Sequence, residues 1–145
     1  MEANTVAMEA AREFLGRARA LRREIENKQR RIQTLRDMAT STTGTMSDMP
    51  HSDSPNLQRM ETVLCKAADL ERELAEDKAT LAAVKEEITE AICDLDEYKE
   101  QQALFGRYVE CKEWEDIAKA CGYHKRTVQR YHDAGVEHLA MKMGG

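Results

Sequence analysis

Apolar residues recur along the first part of the chain at alternating steps of four and three. Phe14, Ala18, Leu21, Ile25, Ile32 and Leu35 form the stripe, and Lys28 is its one polar interruption. Such alternation marks the seam of a helix that packs along its length. No proline breaks the run, and Ala, Arg, Glu, Leu and Gln, all good helix formers, fill the remaining positions. The pattern predicts a helix over about residues 6–38.

A second stripe is longer and cleaner. Met60, Val63, Ala67, Leu70, Leu74, Leu81, Val84, Ile88, Ala91 and Leu95 follow the same rhythm, with Asp77 as the single intruder. Ser54 as N-cap and Pro55 as first helical residue set its start, giving a helix over about 55–97. Residues 39–54 are dense in Ser, Thr, Asp, Gly and Pro and read as the linker. Helices this long cannot stand alone, because each must bury its stripe. The expectation is an antiparallel, coiled-coil-like hairpin closed within one chain. A homodimer is expected on top of it, since one hairpin leaves part of each stripe wet.

Beyond residue 98 the heptad stops. Trp114 to Cys121 reads as a short amphipathic helix with Ile117, Ala118 and Cys121 on one face. Glu113, Glu115 and Asp116 crowd its start, where the helix dipole favours acids. Gly122 follows, able to take a positive φ. A second helix is predicted over about 125–139, with Val128, Tyr131, Gly135 and Leu139 facing inward. This is the spacing of a helix-turn-helix. Ala118 is small where the helices cross, Gly122 makes the turn, and Val128 fills the crossing. Trp114, Ile117, Cys121 and Tyr131, with Tyr123, complete the apolar support, and Leu104, Phe105 and Tyr108 belong to a supporting helix before them.

The outward face of the second helix carries Lys125, Arg126, Gln129 and Arg130. A helix of this kind lies in the major groove with its N-terminal residues against base edges. Arg pairs bidentately with guanine and Gln with adenine. His124, Lys125 and Thr127 complete the candidate DNA-binding set, His124 and Lys125 being placed to reach phosphates.

Composition narrows the picture further. With 145 residues, 34% charged and 5% aromatic, the chain favours an all-α, elongated shape over a compact globule. Seven Gly and two Pro argue against a turn-rich β-sandwich. The net charge of -5 hides an asymmetry. The first helix has about 9 basic and 6 acidic residues, the second about 5 and 12, and the stretch from 99 onward about 8 and 7. A basic helix beside an acidic one suits the hairpin, while a terminal module near +1 predicts weak DNA affinity for one copy.

No stretch approaches a membrane span and the N-terminus does not read as a signal peptide, so a cytoplasmic protein without membrane partners is expected. The cysteines, Cys65, Cys93, Cys111 and Cys121, form no C-x-x-C pair and read as small buried thiols, with no metal or cofactor. Absence of a phosphate loop, nucleophile elbow or paired carboxylates argues against an enzyme.

The terminal module resembles region 4 of sigma factors, through Leu104 to Tyr108, Trp114 to Ala118, Gly122-Tyr123 and Arg126 to Arg130. The whole layout is similar to small phage and prophage sigma-70 region 4-like proteins of Firmicutes. It shares Ile25 to Lys28 in the first helix, the Ser-Asp-Met-Pro run at 47–50 and Ser54-Pro55-Asn56. That resemblance implies a helical region over 1–98, a helix-turn-helix domain over 99–145, and a phage-derived transcription regulator in a bacterial host. Its partners would be double-stranded DNA and bacterial RNA polymerase. In this sequence His124 stands where a capping Ser or Asn is usual, and His is a poor N-cap. Two other readings stand beside it: a phage DNA-packaging protein like a small terminase subunit, and a coiled-coil adaptor that binds no DNA.

Overall fold

The computed structural model describes residues 2–46 and 53–144, with side chains over 5–40 and 55–144. The chain is all-α. Among the described residues there are five α-helices and no strand. They are α1 (Glu2–Met46), α2 (Asp53–Cys93), α3 (Tyr98–Leu104), α4 (Trp114–Cys121) and α5 (Lys125–Gly144). A π-helical stretch, Phe105–Val109, continues α3.

Several helix boundaries differ from expectation, among them the start of α1 at Glu2 and the end of α2 at Cys93, each four residues ahead of the expected position. α1 runs on to Met46, so the first half of the expected linker is helical. Ala39 extends the seven-residue series Ala18, Ile25 and Ile32 and is buried with them. The Thr40 hydroxyl donates to the Arg36 carbonyl at 2.9 Å, so the threonine satisfies itself inside the helix. α2 starts at Asp53, which puts Ser54 inside the helix instead of at its cap. Pro55 permits this because the first N–H groups of a helix have no internal acceptor to lose. α5 continues past 139 to Gly144, with Ala140 buried and the Lys142 ammonium donating to the Asp94 carbonyl at 2.5 Å. The Ser-Asp-Met-Pro run at 47–50 lies outside the described residues.

Packing divides the chain into two compact units: Met1–Leu21 with Leu81–Gly145, and Arg22–Thr80. This is a different division from the expected boundary at residue 98. In the first unit, Leu15 of α1 and Ile88 and Ile92 of α2 share one apolar core with Leu104, Val136 and Leu139. The terminal helices are too few to bury their own apolar surface, and the near ends of α1 and α2 supply the cover.

The second unit is a pair of helical segments. Ile25, Ile32 and Ala39 are buried on α1, and Val63 and Ala67 on α2. The polar intruders of the two stripes meet: Lys28 donates to Asp77 at 2.6 Å. That hydrogen bond holds the lysine's pKa above its ordinary value. Arg36 pairs with Glu71 further along. Moving up α1 from Lys28 to Arg36 moves down α2 from Asp77 to Glu71, so the segments run antiparallel.

The thiols correct another expectation. Cys65 and Cys93 are exposed, and Cys111 and Cys121 are half-buried. Cys65 sits between the buried positions Val63 and Ala67, off the seam, which explains its exposure. No described helix is long and apolar enough to cross a membrane.

Candidate nucleic-acid interface

α4 begins after Glu113, whose extended backbone leaves its carbonyl to accept from Asp116 and Ile117, both at 3.1 Å. Glu115 and Asp116 occupy the first turn, where the dipole favours them. Gly122 ends the helix at φ 76, ψ 22, a left-handed conformation in which a side chain would be strained. The Gly122 and Tyr123 N–H groups donate to the Ala118 carbonyl at 2.9 and 3.1 Å, closing the turn. α5 starts three residues on.

His124 caps α5. Its Nδ1 accepts the Arg126 backbone N–H at 3.3 Å, and its carbonyl accepts from Val128 at 3.1 Å. The imidazole thus occupies the role that Ser or Asn would fill.

Ile117, Ala118 and Val128 are buried with Ala103 in a second small core, and Trp114, Cys121, Tyr123 and Tyr131 pack half-buried against it. Trp114, Ile117, Ala118, Cys121, Tyr123, Val128 and Tyr131 are therefore brought together around the Gly122 turn, whereas Leu104, Phe105, Tyr108 and Leu139, also expected to close this small core, belong to the core shared with α1 and α2. Ala103 was not among those expected. Gly106 backs onto Ile117, where a Cβ would come within 3.0 Å of the isoleucine side chain. Tyr123 and Tyr131 meet edge to face at 5.7 Å, with the Lys99 ammonium 5.7 Å from both ring centres.

Polar contacts hold the opposite side. Tyr108 and His132 are 2.6 Å apart, Oη to Nε2, and His132 Nδ1 is 2.9 Å from Asp133. Both bonds are satisfied when His132 is neutral, giving its Nδ1 proton to Asp133 and accepting from the tyrosine. Burial favours that state, lowering the histidine pKa and raising the tyrosine pKa. Trp114 meets the His132 ring edge-on at 4.9 Å, and the Arg107 guanidinium lies 4.5 Å from the Trp114 ring centre. On the far side of α5, His138 Nδ1 donates to the buried Glu100 carboxylate at 2.6 Å. The sequence carried no local sign of either pair, since each joins residues on different helices.

The six candidate DNA-contacting residues have distinct surroundings. His124, Lys125, Arg126 and Arg130 are exposed, and Thr127 and Gln129 are half-buried. Lys125 is paired with Glu115 at 2.9 Å, a contact that draws the glutamate's pKa down. Arg126 and Arg130 have no ion-pair partner among the described residues. Beside them, Thr127 and Arg130 line a cleft with Glu100, Tyr131 and Asp133. Among the described residues no three His, Cys, Asp or Glu side chains gather as a metal site would require. No protein-family model, curated protein or solved structure matches this chain.

Proposed function

We propose that this protein is a DNA-binding regulator of transcription that presents α5 to the major groove of duplex DNA. The observation that carries the proposal is the state of Arg126 and Arg130. They are exposed on the first two turns of α5, free of ion-pair partners among the described residues, on the face away from buried Val128. A turn through left-handed Gly122 sets the angle of that helix. Helix-turn-helix proteins read bases with side chains in this position. Arg126, Gln129 and Arg130 would meet base edges, and His124, Lys125 and Thr127 the backbone beside them.

The resemblance to sigma region 4-like proteins extends the proposal to a phage or prophage setting and to work beside bacterial RNA polymerase. It involves no catalytic step and no cofactor. A homodimer belongs to the same proposal. Leu57 and Leu64, seven residues apart on α2, are exposed apolar side chains on one face, suited to a second copy. Two linked modules would supply the affinity that one weakly charged module lacks.

Selection of bound DNA from a random pool tests this, with the mass of the complex measured on the same sample. A spaced palindrome bound by a dimer is expected. A ring of many subunits would favour the packaging protein instead. Enrichment of no sequence would leave the adaptor.

A further inference from the structure

Within the second compact unit, the seam that α2 packs on α1 is shadowed by another stripe, one residue later at each step. It runs Glu61, Leu64, Ala68, Glu71, Ala75 and Lys78, at alternating steps of three and four. One residue turns an α-helix by about 100°, so the two stripes lie on neighbouring faces and both can be packed at once. Val63 and Ala67 of the seam are buried, whereas Leu64 is 47% exposed and Ala68 and Ala75 are exposed. Leu57, also exposed, stands one heptad before Leu64 on the same face. Glu61 and Lys78 are exposed and have no ion-pair partner among the described residues. Glu71 is paired with Arg36 of α1.

The order of charges along this face selects the orientation of a second copy. In a parallel pair each residue meets its own twin, so Glu61 faces Glu61, Glu71 faces Glu71 and Lys78 faces Lys78. All three are like-charge contacts. In an antiparallel pair with the two-fold axis level with Asp69 and Leu70, Glu61 meets Lys78 of the second copy. Leu64 then meets Ala75, and Ala68 meets Glu71, whose carboxylate is already held by Arg36. Each large side chain stands opposite a small one, which lets two helices approach at the close end of the usual 8–10 Å range. Sliding one heptad toward the start of α2 would set Glu61 against Glu71 and lose the match.

Resting on the reading that the protein is a homodimer, we infer that this stripe is the dimer interface. The two α2 helices pack on it antiparallel, with Glu61 of each copy on Lys78 of the other. A two-fold interface uses the same patch on both copies, so every contact off the axis occurs twice. The exposed leucines supply the apolar burial, and the charges fix direction and register.

The test is sedimentation equilibrium of the full chain from nanomolar to high micromolar concentration. Lys78→Glu and Leu64→Ala should each raise the dimer dissociation constant at least about tenfold, because each change acts twice. Glu61→Lys/Lys78→Glu should return it close to the original value, and so should Leu64→Ala/Ala75→Leu, which exchanges the large and small partners. All four positions are exposed, so helix content by circular dichroism should stay the same in every variant. A dimer indifferent to Lys78→Glu and Leu64→Ala, or weakened by them and not restored by the exchanges, overturns this interface and leaves the homodimer standing. An unaltered protein that stays monomeric, or closes into a ring of many copies, overturns the homodimer and the interface together.

Discussion

Lys28 and Asp77 meet at 2.6 Å, each about four-fifths buried, where each of two apolar stripes admits one polar residue. A polar pair inside a helical seam stabilises little but penalises shifted alignments, because any slip leaves both groups facing apolar side chains. Lys28→Leu and Asp77→Leu should each lower the melting temperature, since each strands the other partner. The double leucine variant should recover or exceed the original value while losing a unique state. Crosslinking of cysteines placed along α1 and α2 would then trap more than one register. Two additive losses in the double variant would speak against this role.

His124 supplies a weak cap through a long hydrogen bond. Asn or Asp at this position binds the same N–H more closely and is a much better N-cap. His124→Asn should therefore stabilise the protein by about 0.5–1 kcal/mol, and His124→Ala should destabilise it by a similar amount. Urea unfolding measures both. Equal stability of all three proteins would mean that the imidazole does not hold the start of α5.

Gly135 is costly in helix propensity, yet its place in the packing explains it. A Cβ there would stand 3.0 Å from Leu104 Cδ1 and 3.3 Å from Glu100 Cβ, and Leu104 is fully buried with no room to retreat. Gly135→Ala gains about 1 kcal/mol of helix propensity but overpacks the α3–α5 contact, so a net loss of about 1–2 kcal/mol is expected. Gly16 of α1 is the control. Nothing lies within 4 Å of its added Cβ, and Gly16→Ala should stabilise by about 0.5–1 kcal/mol. Thermal unfolding that ranks the two variants the other way would be incompatible with this packing.

Two histidines should shape stability with opposite signs. The hydrogen bond to Glu100, followed by that carboxylate's charge, raises the pKa of His138 above the ordinary 6.5. Its contribution is present in full below 6.5 and is lost as pH rises through the higher folded value. Burial is the main cause that lowers the pKa of His132, so its contribution is present above 6.5 and is lost as pH falls through the lower folded value. His138→Gln should flatten the alkaline side of a stability profile around neutrality, and His132→Gln the acid side. Denaturant midpoints between about pH 5 and 8 read both limbs.

The legible parts of this fold were those with a local period. Ala18, Ile25 and Ile32 stood out because seven residues nearly close two helical turns, and Val128 and Gly122 because a tight helix crossing demands small, bent and apolar residues at fixed steps. Ala39 carries the same period into the expected linker, but its Ser and Thr neighbours mask it. Lys28 and Asp77 were each visible as intruders and invisible as partners, because pairing depends on the alignment of two helices. Glu100 with His138, and Tyr108 with His132, join helices by side chains 38 and 24 residues apart, and no short-range pattern encodes them. Ile92 and Val136 were missed for a related reason. They face the shared core of the first unit, which draws on both ends of the chain.

DNA reading by the free guanidinium groups of α5 stands or falls on one comparison. The affinity of the full chain for its best duplex from a random pool is measured beside that of Arg126→Ala/Arg130→Ala, at low and moderate salt. The unaltered protein should bind in a salt-dependent way and with a sequence preference. The variant should keep its helices but lose the preference and at least tenfold in affinity, since each good base contact contributes about 1–3 kcal/mol. Equal binding by the two proteins, or no binding by either, would refute the role given to these arginines.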